Sequence, residues 1–313
     1  MTWKHIEWTG GAVGGLLLLV VTLPPGLAAE PAGRPAVTTT ATAAVKPEPG
    51  LEKLAQTPRI RLICGLAPEK GYLPRLQAIH ALGTNLTDPE TVALLAFLDQ
   101  KKPDTATLEV LDFDALKNDI TDVLLQQPVL PGALAPQLLA MYRDNTHDDA
   151  WRNYCIQFLA RLYPRLEEKE QAQLRQLFQD ALLERQKSFS GTALIALKNF
   201  ADRPEFDRAE IGNAAMTLLR APDTLPYIKA TALQVAAILG QPEAPVVARQ
   251  WLAAPGTEIT LRISAIATLG QRGVPGDLAI LKPLTRGGDT RIVTAARAAV
   301  AKLDPAKPAK KAK

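Results

Sequence analysis

From residue 51 to residue 303, apolar side chains recur three and four positions apart, and no convincing apolar–polar alternation develops. Spacings of three and four place side chains on one face of a helix, whereas a half-buried strand needs period two. The pattern predicts an all-α body. Seventeen prolines fall between the periodic stretches of these residues, where proline can end one helix or open the next. Asp88-Pro89-Glu90 reads as a helix start, with Asp88 as N-cap, Pro89 at N1 and an acid in the first turn. It leads into a face carrying Val92, Leu95 and Ala96. Gly83, Gly240 and Gly270 each follow a leucine that closes a stretch, and each reads as a helix stop. The segments amount to about fourteen helices of roughly 10 to 20 residues with short connections.

The stretches also resemble one another. Three, four and seven positions after Arg75 stand Ala78, Ile79 and Leu82; after Arg152, Cys155, Ile156 and Leu159; after Arg262, Ala265, Ile266 and Leu269. Ser190 leads in the same way to Ala193, Leu194 and Leu197, and Lys229 to Ala232, Leu233 and Ala236. A small residue beside a large aliphatic one lets a neighbouring helix approach and fills its groove. These origins lie 77, 38, 39 and 33 residues apart, and 77 is about twice 38. Recurrence at such intervals is the signature of stacked helical hairpins.

Glu258-Ile-Thr-Leu-Arg262-Ile-Ser-Ala-Ile-Ala-Thr-Leu-Gly270 and the segment Asp289 to Leu303 resemble HEAT or HEAT-like repeats, as do Arg75 to Gly83 and Asp148 to Arg152. The resemblance is good over 225–303, fair over 70–100 and 147–202, and poor over 101–146. It implies a right-handed α–α superhelix over 51–303, with about six to seven repeats. In such repeats the acid and the following basic residue look structural. Asp148–Arg152 and Glu258–Arg262 are expected to form i,i+4 pairs, and Arg75 lacks one because Gly71 holds the acid position.

The two ends differ in character from the body. Gly10 to Leu23 is a fourteen-residue apolar run closed by Pro24-Pro25. It is shorter than the roughly 20 residues of a spanning helix and suits the hydrophobic core of an export signal. Residues 1–29 are expected to be a signal peptide or N-terminal membrane anchor, and the Pro-, Ala- and Thr-rich 30–50 a disordered linker. Residues 304–313 should form a basic disordered tail in which Lys307, Lys310, Lys311 and Lys313 could touch a polyanion weakly. The formal charge of +4 changes the picture little: the tail supplies +3, the first fifty residues sum to zero, and the body is left with +1. A nucleic-acid-binding body would need a clustered basic face.

Candidate chemistry is sparse. In 313 residues there are three histidines and two cysteines. His147-Asp148-Asp149 can be read as a metal or acid/base cluster, or as a helix start capped by Asn145 or Thr146 with two acids at the dipole. Asp112, Asp114, Asp119 and Asp122 suggest calcium, yet an EF-hand loop beginning at Asp112 needs Gly and Glu where Lys117 and Val123 stand. They are read instead as a helix start and a solvated face. Cys155 occupies the small-residue slot of its repeat and is expected to be buried, and His80 to lie exposed or at a groove edge. The separation of Cys64 and Cys155 by more than two repeats predicts two thiols rather than a disulfide. The larger aromatics of the body, Tyr142, Trp151, Tyr163, Tyr227 and Trp251, are expected to cover ends of the core. No phosphate loop, dinucleotide fingerprint or zinc-helix motif is present, and no catalytic, metal or cofactor-binding residue is assigned. The leading expectation is an exported, non-enzymatic scaffold for a protein or peptide. Other candidates are an envelope-tethered structural protein and, from the family resemblance, a lyase or glycosylase type of enzyme.

Overall fold

The computed structural model describes residues 50–68, 71–103 and 108–304. The expected signal or anchor, nearly all of the linker and all of the tail after Asp304 lie outside the described residues. Among the described residues there are fifteen α-helices, three short 3-10 turns and no strand. The chain is all-α, as the period of its apolar residues requires.

A four-residue helix, α1 (Leu51–Leu54), precedes seven successive pairs. These are α2 (Pro58–Ile63) with α3 (Tyr72–His80), α4 (Asp88–Leu98) with α5 (Val110–Leu125), and α6 (Leu134–Arg143) with α7 (Asp149–Leu162). The remaining four are α8 (Glu168–Leu182) with α9 (Ser188–Phe200), α10 (Arg208–Arg220) with α11 (Pro226–Leu239), α12 (Ala244–Ala253) with α13 (Ile259–Arg272), and α14 (Leu278–Leu281) with α15 (Thr290–Leu303). Each helix packs on its partner, and the second helices also pack on one another in chain order from α3 to α15. The first helix of a pair is short at both ends of the array, four residues in α14 and six in α2, so fewer helices reach 10 residues than the periodicity suggests.

All five recurrent origins fall in second helices, and the apolar residues after them build the core. Ile79, Cys155, Ile156, Leu159, Ala193, Leu194, Ala232, Leu233, Ala236, Ala265, Ile266 and Leu269 are fully buried. The poorly patterned 101–146 is built no differently, since α5 and α6 take their places in the series. The last helix, α15, turns one stripe of its residues to the core. Ala296 and Ala299 are buried in it, while Ile292, Val300 and Leu303 are half-buried against the core. Beneath it lies α13 as well as α14.

Several local expectations shift. Thr87, not Asp88, is the N-cap of α4: its hydroxyl accepts from the Glu90 amide and Glu90 reaches back to the Thr87 amide at 3.1 Å. Asp88 and Pro89 therefore occupy the first turn, and Val92 turns to solvent while Ala93, Leu94, Leu95, Phe97 and Leu98 are buried. Of the three glycines, Gly240 is a true stop, with φ +87° and its amide bonded back to α11. Gly83 lies beyond the end of α3, where its carbonyl accepts from Gln127 at 3.1 Å. Gly270 is inside α13: a Cβ there would stand 2.8 Å from the Cα of Ala299, so glycine is needed for α15 to approach.

Candidate functional site

A helix C-terminus leaves its last carbonyls without intrahelical donors and carries negative dipole charge, which favours a cation. In three successive pairs the second helix supplies that cation from the interior. Arg75 Nε donates to the Ile63 carbonyl at the end of α2 (2.9 Å), Lys117 Nζ to Gln100 just past α4 (2.5 Å), and Arg152 Nε to Tyr142 near the end of α6 (2.7 Å). All three are buried. Aromatic faces complete their surroundings, Phe97 at 5.1 Å from Arg75, Phe113 and Trp151 at 4.5 and 4.9 Å from Lys117, and Phe189 at 4.8 Å from Arg152. The periodicity marks Arg75 and Arg152 but passes over Lys117, because Thr121 stands where the other repeats have a large aliphatic residue. Buried Thr121 returns its hydroxyl to the Lys117 carbonyl at 2.8 Å.

Around Lys117 the second and third pairs bring several ionisable groups together. Asp99 and Lys101 follow α4, Asp114 lies one turn before Lys117 on α5, and Asp144, His147 and Asp148 lead into α7. Lys101 Nζ donates to Asp99 at 3.0 Å, to Asp144 at 2.8 Å and to His147 Nε2 at 2.5 Å. Asp99 Oδ1 also lies 3.3 Å from His147 Nε2, and Nδ1 is buried with no partner among the described residues. Burial, then the charges of Lys117 and Lys101, push the His147 pKa down to about 4, so the ring is neutral at physiological pH. The Lys101 hydrogen bonds hold Asp144 well below the usual carboxylate range.

Asp114 is the largest departure from the sequence reading. The aspartate row on α5 is not a uniformly solvated face, since Asp114 is only 3% exposed and both its carboxyl oxygens lack a donor among the described residues. Burial and the nearby Asp148 carboxylate raise its pKa. Burial lowers that of Lys117. Nor does α5 begin at Asp112, for Glu109 precedes its first turn. At the α7 start the capping role is confirmed on another residue: Asp148 accepts from the Trp151 amide at 2.9 Å, while Asp144 takes the amide and hydroxyl of Thr146. Because Asp148 is the cap, Arg152 pairs instead with Asp149, at 3.0 Å and i,i+3. The Glu258–Arg262 pair is likewise absent among the described residues: Glu258 is the N-cap position of α13 and Arg262 Nε is buried without an acceptor.

Cys155 is fully buried and burial pushes its thiol well up, opposite to what a nucleophile needs. Cys64 is buried as well, and the two are thiols rather than a disulfide. No three His, Cys, Asp or Glu side chains are grouped to hold a metal ion among the described residues. His80 is exposed, with Nε2 3.6 Å from Asp119. The aromatics mostly cover the core: Trp151 and Tyr163 are fully buried, and Tyr142 and Tyr163 point their hydroxyls to Glu184 and Glu205 at 3.0 and 3.3 Å. Tyr227 is exposed and Trp251 half-buried. A shallow cleft between α6 and α8, lined by Leu139, Leu166 and Leu174 among others, has room for about one water molecule.

Of the eleven exposed large apolar side chains among the described residues, five share one kind of position. Leu73, Val110 with Leu111, Tyr227 and Ile259 all sit on the first two residues of second helices, in α3, α5, α11 and α13. Sequence reasoning missed this edge because Leu73, Tyr227 and Ile259 precede their recurrent origins by two or three residues and α5 carries no such origin. Compared with known protein families, curated proteins and solved structures, the chain matches none.

Proposed function

We propose that the chain is an exported, non-enzymatic scaffold of the HEAT-like kind, a right-handed superhelix that binds a protein or peptide partner. The observation that carries this reading is the apolar edge at the starts of α3, α5, α11 and α13. Stacked pairs present equivalent positions of successive second helices along one side, so Leu73 with Val110 and Leu111, and Tyr227 with Ile259, form two apolar patches separated by the starts of α7 and α9. Apolar side chains at such positions are suited to a partner's own apolar groups. The near-neutral charge of 51–303 points the same way, because it offers no large single-sign field for a polyanion.

The test is capture from a cell-envelope fraction with the full chain and with a Leu73→Ser, Leu111→Ser, Tyr227→Ser variant. All three side chains are exposed, so the melting temperature should hold while retention of the specific partner falls at least tenfold. Binding by the wild type should change little between 50 and 200 mM salt, whereas a complex with six or more phosphate contacts would lose about a thousandfold. Equal retention by both chains removes the proposed surface. A steep salt slope that survives deletion of 305–313 replaces a protein partner with a polyanion.

A further inference from the structure

Asp114 presents a problem that its surroundings, as ionised groups, do not solve. It is buried, and neither carboxyl oxygen meets a donor among the described residues. A buried carboxylate without donors is among the costliest arrangements a core can contain, and a buried polar group that persists needs an explanation. Lys117, one turn along α5, is the nearest candidate for a counter-charge. Its ammonium is engaged instead by the Gln100 carbonyl and the rings of Phe113 and Trp151. What does lie within hydrogen-bonding reach is another carboxylate, that of Asp148.

The other groups around the site leave this pairing alone. From α7 come Asp148, Tyr154 and Cys155, the last a buried thiol. From α3, Arg75 is turned to the Ile63 carbonyl and the Phe97 ring. The acids of α4 lie in its first turn, where Glu90 binds Thr87, and Asp99 and Lys101 beyond its end face His147. None of these gives Asp114 a hydrogen bond. A neutral carboxylic acid would resolve the arrangement, because its O–H is a donor and Asp148 is an acceptor.

We propose that Asp114 carries a proton in the folded chain and donates it to Asp148, making the contact between α5 and α7 a proton-gated joint. With the proton in place, a carboxyl–carboxylate hydrogen bond ties α5 to the N-cap of α7. When the proton leaves to solvent, two facing carboxylates remain with no donor between them, and the joint between the second and third pairs loosens. Burial raises the pKa of Asp114 to about 7, which places the change in the range from mildly acidic to neutral. An acid whose folded pKa lies above its unfolded value contributes stability that is complete below the unfolded value and is lost as pH rises through the folded one.

The test compares the full-length wild type with Asp114→Asn by denaturant unfolding between pH 4 and 8. Asparagine keeps the shape and a donor but has no proton to lose. The ratio of the variant's folding constant to that of the wild type should grow about tenfold per pH unit from about 4.5 to 6.5, then level off above about 7. In Asp148→Asn, which retains a capping side chain but no charge, Asp114 should lose its proton at lower pH. A ratio that stays flat from pH 4 to 8 overturns the proposal. Should Asp114→Asn not fold, the assigned carboxyl carbon resonance of Asp114 in the wild type decides. Titration near pH 7 supports the shared proton, and titration near pH 4 overturns it.

Discussion

Inside the second and third pairs, single side chains hold protonation states that water would not give them. His147 remains neutral because burial disfavours its positive charge and because the charges of Lys117 and Lys101 oppose another one there. A basic group with its folded pKa depressed from 6.5 to about 4 contributes stability that is present above the unfolded value and lost as pH falls through the folded one. The folding constant of the wild type relative to His147→Asn should therefore fall about tenfold per pH unit between about 6 and 4. Urea unfolding of both chains across that range measures it, and parallel curves would mean that His147 protonates without cost. Asp114 acts in the opposite direction over part of the same window, so the wild-type profile alone understates both. Only the differences between variants separate them.

At the scale of elements, close approach and shared polar ends join one helix to the next, together with ion pairs such as Arg161–Asp122 between α7 and α5 and Arg249–Asp277 between α12 and the turn before α14. Gly270 lets α15 lie directly on α13, with Ala299 seated over it. Replacing Gly270 with Ala should destabilise the chain by about 1–3 kcal/mol through overpacking, against the roughly 0.5–1 kcal/mol that alanine contributes as a better helix former. Gly132→Ala, where nothing lies within 4 Å, should be neutral or slightly stabilising. Thermal melts of the two variants give the comparison, and equal melting temperatures would mean that α15 shifts freely. The interior cations follow the same logic. Arg152→Leu removes the donor to the Tyr142 carbonyl and the cation over Phe189, for an expected loss of about 1–3 kcal/mol in the same assay. An unchanged melting temperature would show that the α6 end needs no side-chain donor.

For the molecule as a whole, the array depends on neighbours and on finished ends. Removing 287–303 would uncover the face of α13 around Gly270 and the buried Leu281 of α14. The half-buried Ile292, Val300 and Leu303 leave with it, and the cost should be about 3–5 kcal/mol, visible as aggregation or an earlier melt. Removing 305–313 should leave the melting temperature within error, because this Lys-, Ala- and Pro-rich stretch has no large apolar side chain to bury. Identical behaviour of the two truncations would place the end of the folded array elsewhere. The proposed joint acts at one internal boundary of the array, which the Arg161–Asp122 ion pair and the Lys117–Trp151 contact also span.

The helical class, the pairs and the second-helix core were legible in the chain because they rest on local periodicity. Ala265, Ile266 and Leu269 are buried for the same reason that they are spaced three and four apart. Capping was legible in kind but not to the residue: the acids at the starts of α4 and α7 announce the helices, while Thr87 and Asp148 were chosen as caps by backbone geometry. What only the tertiary structure decided is where polar groups meet. A glycine after a leucine looks the same whether it stops a helix, as Gly240 does, or admits another helix, as Gly270 does. An aspartate four residues into a helix looks solvated until α7 closes over Asp114. Burial of a charge is a property of two surfaces brought together from distant parts of the chain, and a local pattern describes only one of them.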